Sequence, residues 1–427
     1  MNEAETRARL VEPKLKASGW REAEISREFC YSRDYTYTEG RIILSGSDVK
    51  RGSRKRVDYL LRYTDGFPIA VVEVKPATEE PEAGLEQAKE YAKDLGLAFA
   101  YSTNGHKVVE FDFFTNTSTL MDGFPNPQEL WERWKLNTGL SEPVKSSLSQ
   151  VGPAYGYAQS FSNPLTYPYY TQEGKKPRYY QESAVKEVIL AVMKGKKRVL
   201  LTMATGTGKT FVAFQIVWKL LNSGYFSKLG RPERVLFLAD RVVLRNQAYN
   251  AFSPFSGKDG EPRYLIEGHP PKLNRKLYFG IYQTLWAEDQ NRTRLYQKFP
   301  RDFFDLVIID ECHRSGWGTW REILEHFGDA IHLGMTATPK RDDNVDTYAY
   351  FGEPVYEYSL SQGIEDGFLA TYRVHRVLTT VDQQGLTLQD AVEQGAEVFV
   401  LEGVEPSSVF CSPQFERVIS LPDRTMQ

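Results

Sequence analysis

Cysteine is scarce in this sequence, which has only Cys30, Cys312 and Cys411 among its 427 residues. An odd number of widely separated cysteines excludes a disulfide framework and a clustered cysteine zinc site, and it is typical of proteins that work in a reducing compartment. We therefore expect a cytoplasmic protein.

Long apolar runs are also missing, since no stretch reaches the ~18 consecutive apolar residues of a transmembrane helix. The N-terminal residues 1–13 contain early acidic residues instead of the apolar core of a signal peptide. We expect no membrane association. The net charge of −3 gives no global attraction for nucleic acid, although basic clusters occur at 50–56, 175–178 and 194–198. Most such clusters are solvated surface, and alone they favour DNA only weakly.

The pattern of the sequence changes along the chain, and its length allows about three domains. Residues 1–145 mix helical and strand patterns and predict a first α/β domain. Residues 146–170 are rich in Ser, Pro, Gly and Tyr without periodicity, which predicts an interdomain linker. In 171–360, continuous apolar strands alternate with helical stretches and predict a parallel sheet covered by helices on both faces. Residues 361–427 are too few for another full α/β domain.

The segment TMATGTGKT at 202–210 follows a predicted strand and precedes a predicted helix. In that position two glycines let backbone N–H groups approach phosphates, the helix N-terminus adds partial positive charge, and the lysine reaches the β- and γ-phosphates. Met203 replaces the first glycine of the general pattern. A glycine-rich turn is the alternative, but the strand–loop–helix context favours an ATP site. The predicted binding residues are Thr205, Gly206, Thr207, Gly208, Lys209 and Thr210, the last as a Mg²⁺ ligand.

Two adjacent carboxylates end the apolar strand in DLVIIDECH, where open α/β sheets place their sites. Asp310 is predicted to hold Mg²⁺, and Glu311 to orient and deprotonate an attacking water. Alone, such a pair is commonly just a polar strand end, but its position downstream of the phosphate loop favours a catalytic role. The next strand end, GMTATP, contributes Thr336 and Thr338, whose hydroxyls would link the ATP site to a bound strand.

In this order the phosphate loop, DECH and TAT resemble motifs I, II and III of superfamily 2 helicases and translocases over residues 175–370. The resemblance implies a RecA-like motor domain in which Gln181, with Arg178 near it, contacts the adenine. It also implies that His313 couples ATP hydrolysis to movement, while a buried structural histidine is the alternative. The segments LFLADRVVLRNQ and YQTL look like the DNA-contacting motifs of that family.

The arginine-finger motif QxxGRxxR of such motors is missing from this sequence. Residues 361–427 therefore resemble only the beginning of a second RecA-like domain. Without the finger, we expect a loss of about 10³–10⁵ in hydrolysis rate by analogy with other phosphoryl-transfer enzymes. We accordingly expect this chain to be a fragment, or to leave its C-terminal part unrepresented.

A predicted hairpin in the first domain turns at the Asp65-Gly66 dipeptide. A two-residue loop there places Asp58 opposite Glu73, and like charges so opposed are destabilising unless compensated. A divalent cation such as Mg²⁺ supplies that compensation, and Lys75 on the same face would stabilise charge developing on a phosphate or position the attacking water. A hairpin with one solvated face is the alternative, which the hairpin alone favours.

This arrangement, Asp-x14-Glu-x-Lys followed by a helix, resembles the PD-(D/E)xK nuclease core. The helix carries Gln87 and Tyr91 at i and i+4, hence on one face, and they look like the QxxxY element of RecB-type members. The resemblance implies Asp58 and Glu73 as metal ligands, and Glu12 matches a position where many members have an additional acidic ligand. The basic cluster before the first strand of the hairpin would hold a phosphate backbone.

A RecB-type nuclease followed by a superfamily 2 motor looks like the restriction subunit (HsdR, the R subunit) of type I restriction-modification enzymes. The resemblance implies a restriction-endonuclease-like α/β domain, a RecA-like motor domain and the start of a second one. It implies ATP-dependent translocation on double-stranded DNA and cleavage away from the recognition site. It also implies methylation and specificity subunits as partners, because nothing here reads bases or binds S-adenosylmethionine. A free-standing repair helicase-nuclease, or a DNA-binding motor with a structural N-terminal domain, remain as alternatives.

Overall fold

The architecture is taken from a computed structural model. It describes residues 1–31, 55–140, 162–171, 174, 176–227, 232–256, 260–268, 271–312, 321–339, 341–342 and 345–370. Met1–Ala370 form one compact unit, and a second unit, Thr371–Gln427, lies outside the described residues. Within the described ranges, no helix is long and apolar enough to cross a membrane. The domain boundaries given above stay a prediction.

The chain begins with an interrupted helix. Helix α1 spans Glu3–Thr6, a π-helical segment spans Arg7–Val11, and helix α2 spans Glu12–Ala17. Pro13 lies in the first turn of α2. Because proline has no N–H group and its ring clashes with the carbonyl four residues earlier, a regular helical ladder cannot run through this point.

Six strands of the described N-terminal half form one sheet in sequential order. They are β1 Ile25–Cys30, β2 Arg56–Thr64, β3 Phe67–Val74, β4 Phe99–Thr103, β5 Val108–Asp112 and β6 Thr117–Met121. Strands β3 and β4 are parallel and the other neighbours are antiparallel. Helix α3, Leu85–Asp94, follows a 3₁₀ turn at Pro81–Gly84, and helix α4 spans Pro127–Thr138.

Strand β3 lies in the interior of this sheet and is buried on both faces. Val72 and Val74 belong to the core that also contains residues of α2 and α4, whereas Val71 packs with Leu85 of α3. Central position and two covered faces exclude the alternative of a hairpin with a solvated face. Nearly continuous burial of a strand requires this kind of two-sided cover.

The register of the β2–β3 hairpin is the predicted one. Tyr59 pairs with Val72, and Thr64 pairs with Phe67 across the predicted two-residue turn. Between them Arg62 pairs with Pro68, which shifts the ladder by one residue. Proline cannot donate a ladder hydrogen bond, and such residues occur at bulges.

The described part of residues 171–360 forms a seven-stranded parallel sheet in the order β15-β7-β12-β11-β8-β10-β9. These strands are β7 Arg198–Met203, β8 Val235–Ala239, β9 Arg263–Leu265, β10 Leu277–Ile281, β11 Leu306–Asp310, β12 Ile331–Thr336 and β15 Tyr356–Tyr358, with a separate two-stranded ribbon of β13 Arg341–Asp342 and β14 Val345–Asp346. The parallel sheet predicted from alternating strands and helices is confirmed.

Helices cover this sheet. The longer ones are α5 Tyr179–Met193, α6 Lys209–Asn222 and α7 Val242–Ala251. Shorter helices span Tyr282–Trp286 (α8), Arg321–His326, Thr347–Phe351 and Leu360–Glu365, and 3₁₀ turns span Ser253–Phe255 and Leu295–Lys298. A further 3₁₀ turn, Glu22–Glu24, precedes β1 in the N-terminal domain.

Helix α5 joins the two sheets. Arg62 of β2 donates to both carboxylate oxygens of Glu182 in α5, at 3.0 and 3.2 Å, and both residues are buried. The neighbouring Ser183 hydroxyl donates to the carbonyl of Leu95, just after α3. Helix α5 therefore contacts both a strand and a helix end of the N-terminal domain.

Candidate active sites

The two predicted nuclease carboxylates lie on adjacent strands. Asp58 in β2 and Glu73 in β3 are 5% and 6% exposed. The Val74 N–H donates to Asp58 Oδ2 at 2.7 Å, so the Asp58 side chain reaches across to β3. Leu60 and Val71, each two residues from a carboxylate, pack on the α3 side of the sheet. Because strand side chains alternate with a period of two, both carboxylates face α3.

Burial changes the acidity of this pair. Burial and, secondarily, the neighbouring Asp58 raise the pKa of Glu73 to about 7. Burial also raises the pKa of Asp58, although the Val74 N–H and the Arg7 guanidinium act in the opposite direction. Two buried carboxylates that disfavour simultaneous ionisation would be stabilised by a cation between them.

Lys75, Gln87 and Tyr91 are brought together beside Glu73. Lys75 Nζ lies 3.0 Å from Glu73 Oε1 and 3.0 Å from Gln87 Oε1. The amide of Gln87 donates to the Tyr91 hydroxyl at 2.7 Å. Gln87, which contacts Tyr91, therefore positions Lys75, and Lys75 in turn contacts the Glu73 carboxylate.

Gly84 also belongs to this site, and the sequence analysis missed it. A Cβ atom at Gly84 would lie 2.8 Å from Lys75 Cε, 2.8 Å from Ser102 Oγ and 2.9 Å from Glu73 Cγ. A real Cβ does not come this close, so only glycine lets the turn before α3 approach the site. A glycine at the start of a helix was the only signal in the sequence, and it is a common feature with many causes.

Glu12 lies apart from the carboxylate pair. Its carboxylate accepts from Arg27 Nε at 2.8 Å and from the Tyr59 hydroxyl at 3.4 Å. The carboxylate of the first helix that acts electrostatically on both Asp58 and Glu73 is Glu3. The π-helical segment changes the turn length between these two acidic residues, so regular helical periodicity could not identify which one faces the sheet.

The donor set here consists of hard oxygen ligands, which suits Mg²⁺. Among the described residues, no group of three His, Cys, Asp or Glu side chains is arranged to hold an ion. Magnesium commonly uses only one or two protein carboxylates and keeps several waters. The residues that would hold it are Asp58 and Glu73.

The predicted phosphate loop, residues 202–210, has a backbone conformation that suits phosphate binding. Gly206 and Gly208 have φ angles of +83° and +88°, which residues with a Cβ rarely adopt. Lys209 begins α6, and its Nζ lies 3.3 Å from the Met203 carbonyl. Met203 is fully buried as the last residue of β7. It contributes a backbone carbonyl, so the unusual side chain at this position does not interrupt the loop.

The acidic pair follows β11. Burial and the neighbouring Glu311 raise the pKa of Asp310 to about 6. Glu311 Oε1 lies 3.4 Å from Lys209 Nζ, which joins the acidic pair to the phosphate loop. Glu311 has a φ of +49°. Strained backbone of this kind concentrates at functional sites and is maintained by the surrounding structure.

The predicted adenine-contacting residues lie against the phosphate loop. The Gln181 amide and the Tyr180 hydroxyl both donate to the Thr207 carbonyl, at 2.9 and 3.1 Å. Arg178 donates to the Tyr180 hydroxyl at 2.9 Å, and its backbone N–H donates to Gln181 Oε1. Tyr180, which the sequence analysis did not identify, is therefore part of the contact between α5 and the loop.

The strand order places the GMTATP motif between the predicted phosphate loop and the acidic pair. Strand β12 lies between β7 and β11 in the sheet, so its carboxyl end adjoins both the phosphate loop and the acidic pair. Thr336 is buried there, and its hydroxyl oxygen accepts from the Thr338 backbone N–H at 3.1 Å. Thr205 and Thr210 lie in the loop and at the start of α6. His313 lies outside the described residues.

Comparison with known proteins gives three informative matches. A family model described as Type III restriction enzyme, res subunit, matches residues 174–341. The EcoAI type I restriction enzyme endonuclease subunit of Escherichia coli is 38% identical over 399 residues, 90% of this chain and 45% of that relative. The EcoKI endonuclease subunit of E. coli strain K12 is 33% identical over 216 residues, 45% of this chain and 17% of the relative.

A solved structure also matches over most of the chain. It is a fragment described as an HsdR subunit of a type I restriction enzyme from Vibrio vulnificus YJ016, with 44% identity and a TM-score of 0.72. The match covers 92% of this chain and 66% of that fragment. The chain thus spans under half the length of the curated relatives above, and its similarity includes the N-terminal sheet as well as the motor sheet.

Proposed function

This chain belongs to the family of type I restriction enzyme endonuclease subunits, and from that membership we propose an ATP-driven motor on double-stranded DNA that carries a Mg²⁺-dependent endonuclease. Its partners in this proposal are the methylation and specificity subunits of the same cytoplasmic complex, and its substrate is unmodified foreign DNA. Cleavage takes place away from the recognition site.

The motor part would work through the phosphate loop and the acidic pair. Gly206 and Gly208 open the loop for phosphate oxygens, and Lys209 carries the positive charge that they meet. Glu311, held near that lysine, would accept the proton of the attacking water. Thr210 and Asp310 would hold Mg²⁺, which neutralises phosphate charge when bound. Gln181 and Arg178, at the start of α5, would contact the adenine base of ATP.

The nuclease part would work through Asp58, Glu73 and Lys75. The two buried carboxylates would hold Mg²⁺, which polarises the phosphodiester and activates water when bound. Lys75, fixed between Glu73 and Gln87, would stabilise the negative charge that develops on the phosphate.

One observation carries the proposal: the same compact unit contains both charged sites, each with its lysine in contact with a carboxylate of that site. A motor with a merely structural N-terminal domain has no need for two buried carboxylates facing one another across a hairpin. Burying such a pair costs free energy, so its presence favours a functional role over a structural one.

The proposal is tested by separating the two activities in the complete complex. With plasmid, Mg²⁺ and ATP, we expect Lys209→Ala to abolish ATP hydrolysis and translocation, and therefore cleavage. We expect Asp58→Ala to retain ATP hydrolysis and to lose cleavage, because it removes half of the carboxylate pair. Plasmid nicking and phosphate release measured on the same samples report both activities.

Retained DNA cutting by Asp58→Ala would show that the nuclease lies elsewhere. Cutting by the wild-type chain without ATP would contradict the type I assignment, and strand separation instead of translocation on intact duplex would support the free-standing helicase-nuclease.

A further inference from the structure

Two backbone irregularities of the N-terminal domain converge on Asp58. The π-helical segment Arg7–Val11 begins at Arg7, and Glu28 in β1 has a φ of +46°. π-turns are rare and frequently occur at functional sites. A residue with a Cβ in the left-handed region is strained, and such strain persists only where the surroundings enforce it. Arg7 contacts the Asp58 carboxylate, and Glu28 contacts Arg7, so both irregularities lie beside the same carboxylate.

The strand register places Glu28 directly beside the nuclease site. The residues on either side of Glu28 in β1 pair with the residues on either side of Asp58 in β2, so Glu28 faces Asp58 across the ladder. Arg7 Nη1 lies 3.1 Å from Asp58 Oδ1 and 3.2 Å from Glu28 Oε1. One guanidinium nitrogen therefore bridges two carboxylates on adjacent strands.

We propose that Arg7 and Glu28 are positioning residues of the nuclease: Arg7 orients Asp58, and Glu28 holds Arg7 in place. The inference rests on the proposed nuclease function. The Val74 N–H already fixes Asp58 Oδ2, so the bond from Arg7 fixes the second oxygen. A carboxylate oxygen has two lone pairs, which leaves one on Oδ1 for a divalent cation.

Stability alone does not account for this arrangement. The Glu28 side chain is 52% exposed, against 18% for Arg7 and 6% for Asp58. Ion pairs with such an exposed partner contribute little to folding. Glu28 also pairs with Arg56, whose side chain is 49% exposed. The left-handed backbone at Glu28 costs free energy that these two exposed pairs do not offset. We infer that the strained position is retained because it places the Glu28 carboxylate where it orients Arg7.

Groups that orient metal ligands typically change metal affinity or activity 10–100-fold when mutated. We expect Arg7→Ala to raise the half-saturating Mg²⁺ concentration for cleavage by about that factor, with ATP hydrolysis unchanged. Arg7→Lys, which retains one donor and the charge, should recover part of the loss. Calorimetric titration of the full chain with Mn²⁺ in the absence of nucleotide should show the same order of affinities, with Asp58→Ala defining the signal of this site. Arg21→Ala, which removes another salt-bridged arginine near this end of the chain, serves as the matched control.

Glu28→Gly gives a second test with a variant that we expect to fold. Glycine relieves the left-handed strain, so the melting temperature should rise or stay the same while the Mg²⁺ requirement for cleavage increases. Asn116 has a φ of +56° in the turn between β5 and β6. Asn116→Gly should change the melting temperature in the same direction and leave cleavage unchanged.

The outcomes separate this inference from the proposed function. If Asp58→Ala still cleaves, the nuclease assignment fails and the inference fails with it. If Asp58→Ala is inactive but Arg7→Ala keeps wild-type Mg²⁺ dependence and Mn²⁺ affinity, the positioning role is overturned and the nuclease assignment stands. Unchanged cleavage by Glu28→Gly would remove Glu28 from the arrangement.

Discussion

Lys219 shows how burial changes the chemistry of a single residue. It lies in α6 with 1% of its surface exposed. Its Nζ donates to the Leu165 carbonyl at 3.0 Å and lies 3.9 Å from the centre of the Tyr169 ring. Burial lowers the pKa of Lys219 to about 7, although Glu182 and Asp65 act in the opposite direction. A lysine in an amphipathic helix pattern normally indicates a solvated position, so the residue pattern does not indicate this environment.

The lowered pKa predicts how Lys219 affects stability as pH changes. Between pH 7 and 10.5 the unfolded chain holds a proton that the folded chain lacks. Folding stability therefore rises with pH in this window, by at most ~1.4 kcal/mol per pH unit from this group. Below pH 7 both states are protonated, and the folded state bears the full cost of a buried charge. Lys219→Met removes that cost, so its stability advantage over wild type should shrink as pH rises from 7.

Urea unfolding of both proteins at pH 7, 8 and 9 measures this difference, taking the pH range from the lowered pKa of Lys219. Lys16→Met, which makes the same replacement at an exposed lysine, is the control for the substitution itself. A constant difference for Lys219→Met would show that the buried amine keeps an ordinary pKa.

At the scale of elements, the loop between β7 and α6 is shaped by its contact with α5. A Cβ at Gly208 would lie 2.7 Å from Gln181 Nε2, and the φ of Gly208 is +88°. Gly195, which follows α5, has a similar φ of +81°, but a Cβ there would meet no atom within 4 Å. Comparing substitutions at the two glycines therefore distinguishes the effect of backbone strain from the effect of the contact with Gln181.

We expect both Gly208→Ala and Gly195→Ala to lower stability, by about 1 kcal/mol each for a left-handed residue with a Cβ. Only Gly208→Ala should also weaken ATP binding, because the added methyl group displaces Gln181 and disturbs the phosphate loop. Binding of a fluorescent ATP analogue and thermal unfolding measure the two effects. Equal ATP affinity in both variants would show that the loop tolerates displacement of Gln181.

The β2–β3 hairpin shows the limits of reasoning at this scale. Its two-residue turn and the pairing of Tyr59 with Val72 followed from the Asp-Gly signal and strand alternation. The register shift at Pro68 could not be predicted, because the sequence does not show which residues of a strand must donate ladder hydrogen bonds. The face of the first helix was likewise not predictable, since the π-helical segment breaks the regular period that such a prediction assumes.

At the scale of the whole molecule, a buried ion pair joins the N-terminal sheet to the motor. Arg62 and Glu182 are 8% exposed each and make two parallel hydrogen bonds. Burial raises the pKa of Glu182, and Arg62 opposes that shift. Breaking such a pair by removing one partner leaves a buried charge without compensation.

Arg62→Ala should therefore lower the free energy of unfolding by about 3–5 kcal/mol and increase digestion of the chain by trypsin. Replacing both partners, Arg62→Met with Glu182→Met, should recover most of the loss, because an apolar pair of similar volume leaves no unpaired charge. Urea unfolding and limited trypsin digestion measure these effects. Lys107→Ala, which removes an exposed pair with Asp122, should change neither. A small loss in Arg62→Ala, with no recovery in the double variant, would mean that water reaches Glu182.

The sequence by itself determined the parallel sheet of the second domain and the register that places Asp58 opposite Glu73. It also predicted a phosphate loop and an acidic pair, which the structure brings into contact through Lys209 and Glu311. These features depend on local periodicity, turn residues and short motifs, which are properties of neighbouring residues. Only the tertiary structure decided that Glu12 lies with Arg27, that Gly84 must lack a side chain, and that Arg7 and Glu28 meet at Asp58. Those contacts join residues that are distant in the chain, and they depend on backbone irregularities and close approaches that no residue pattern encodes.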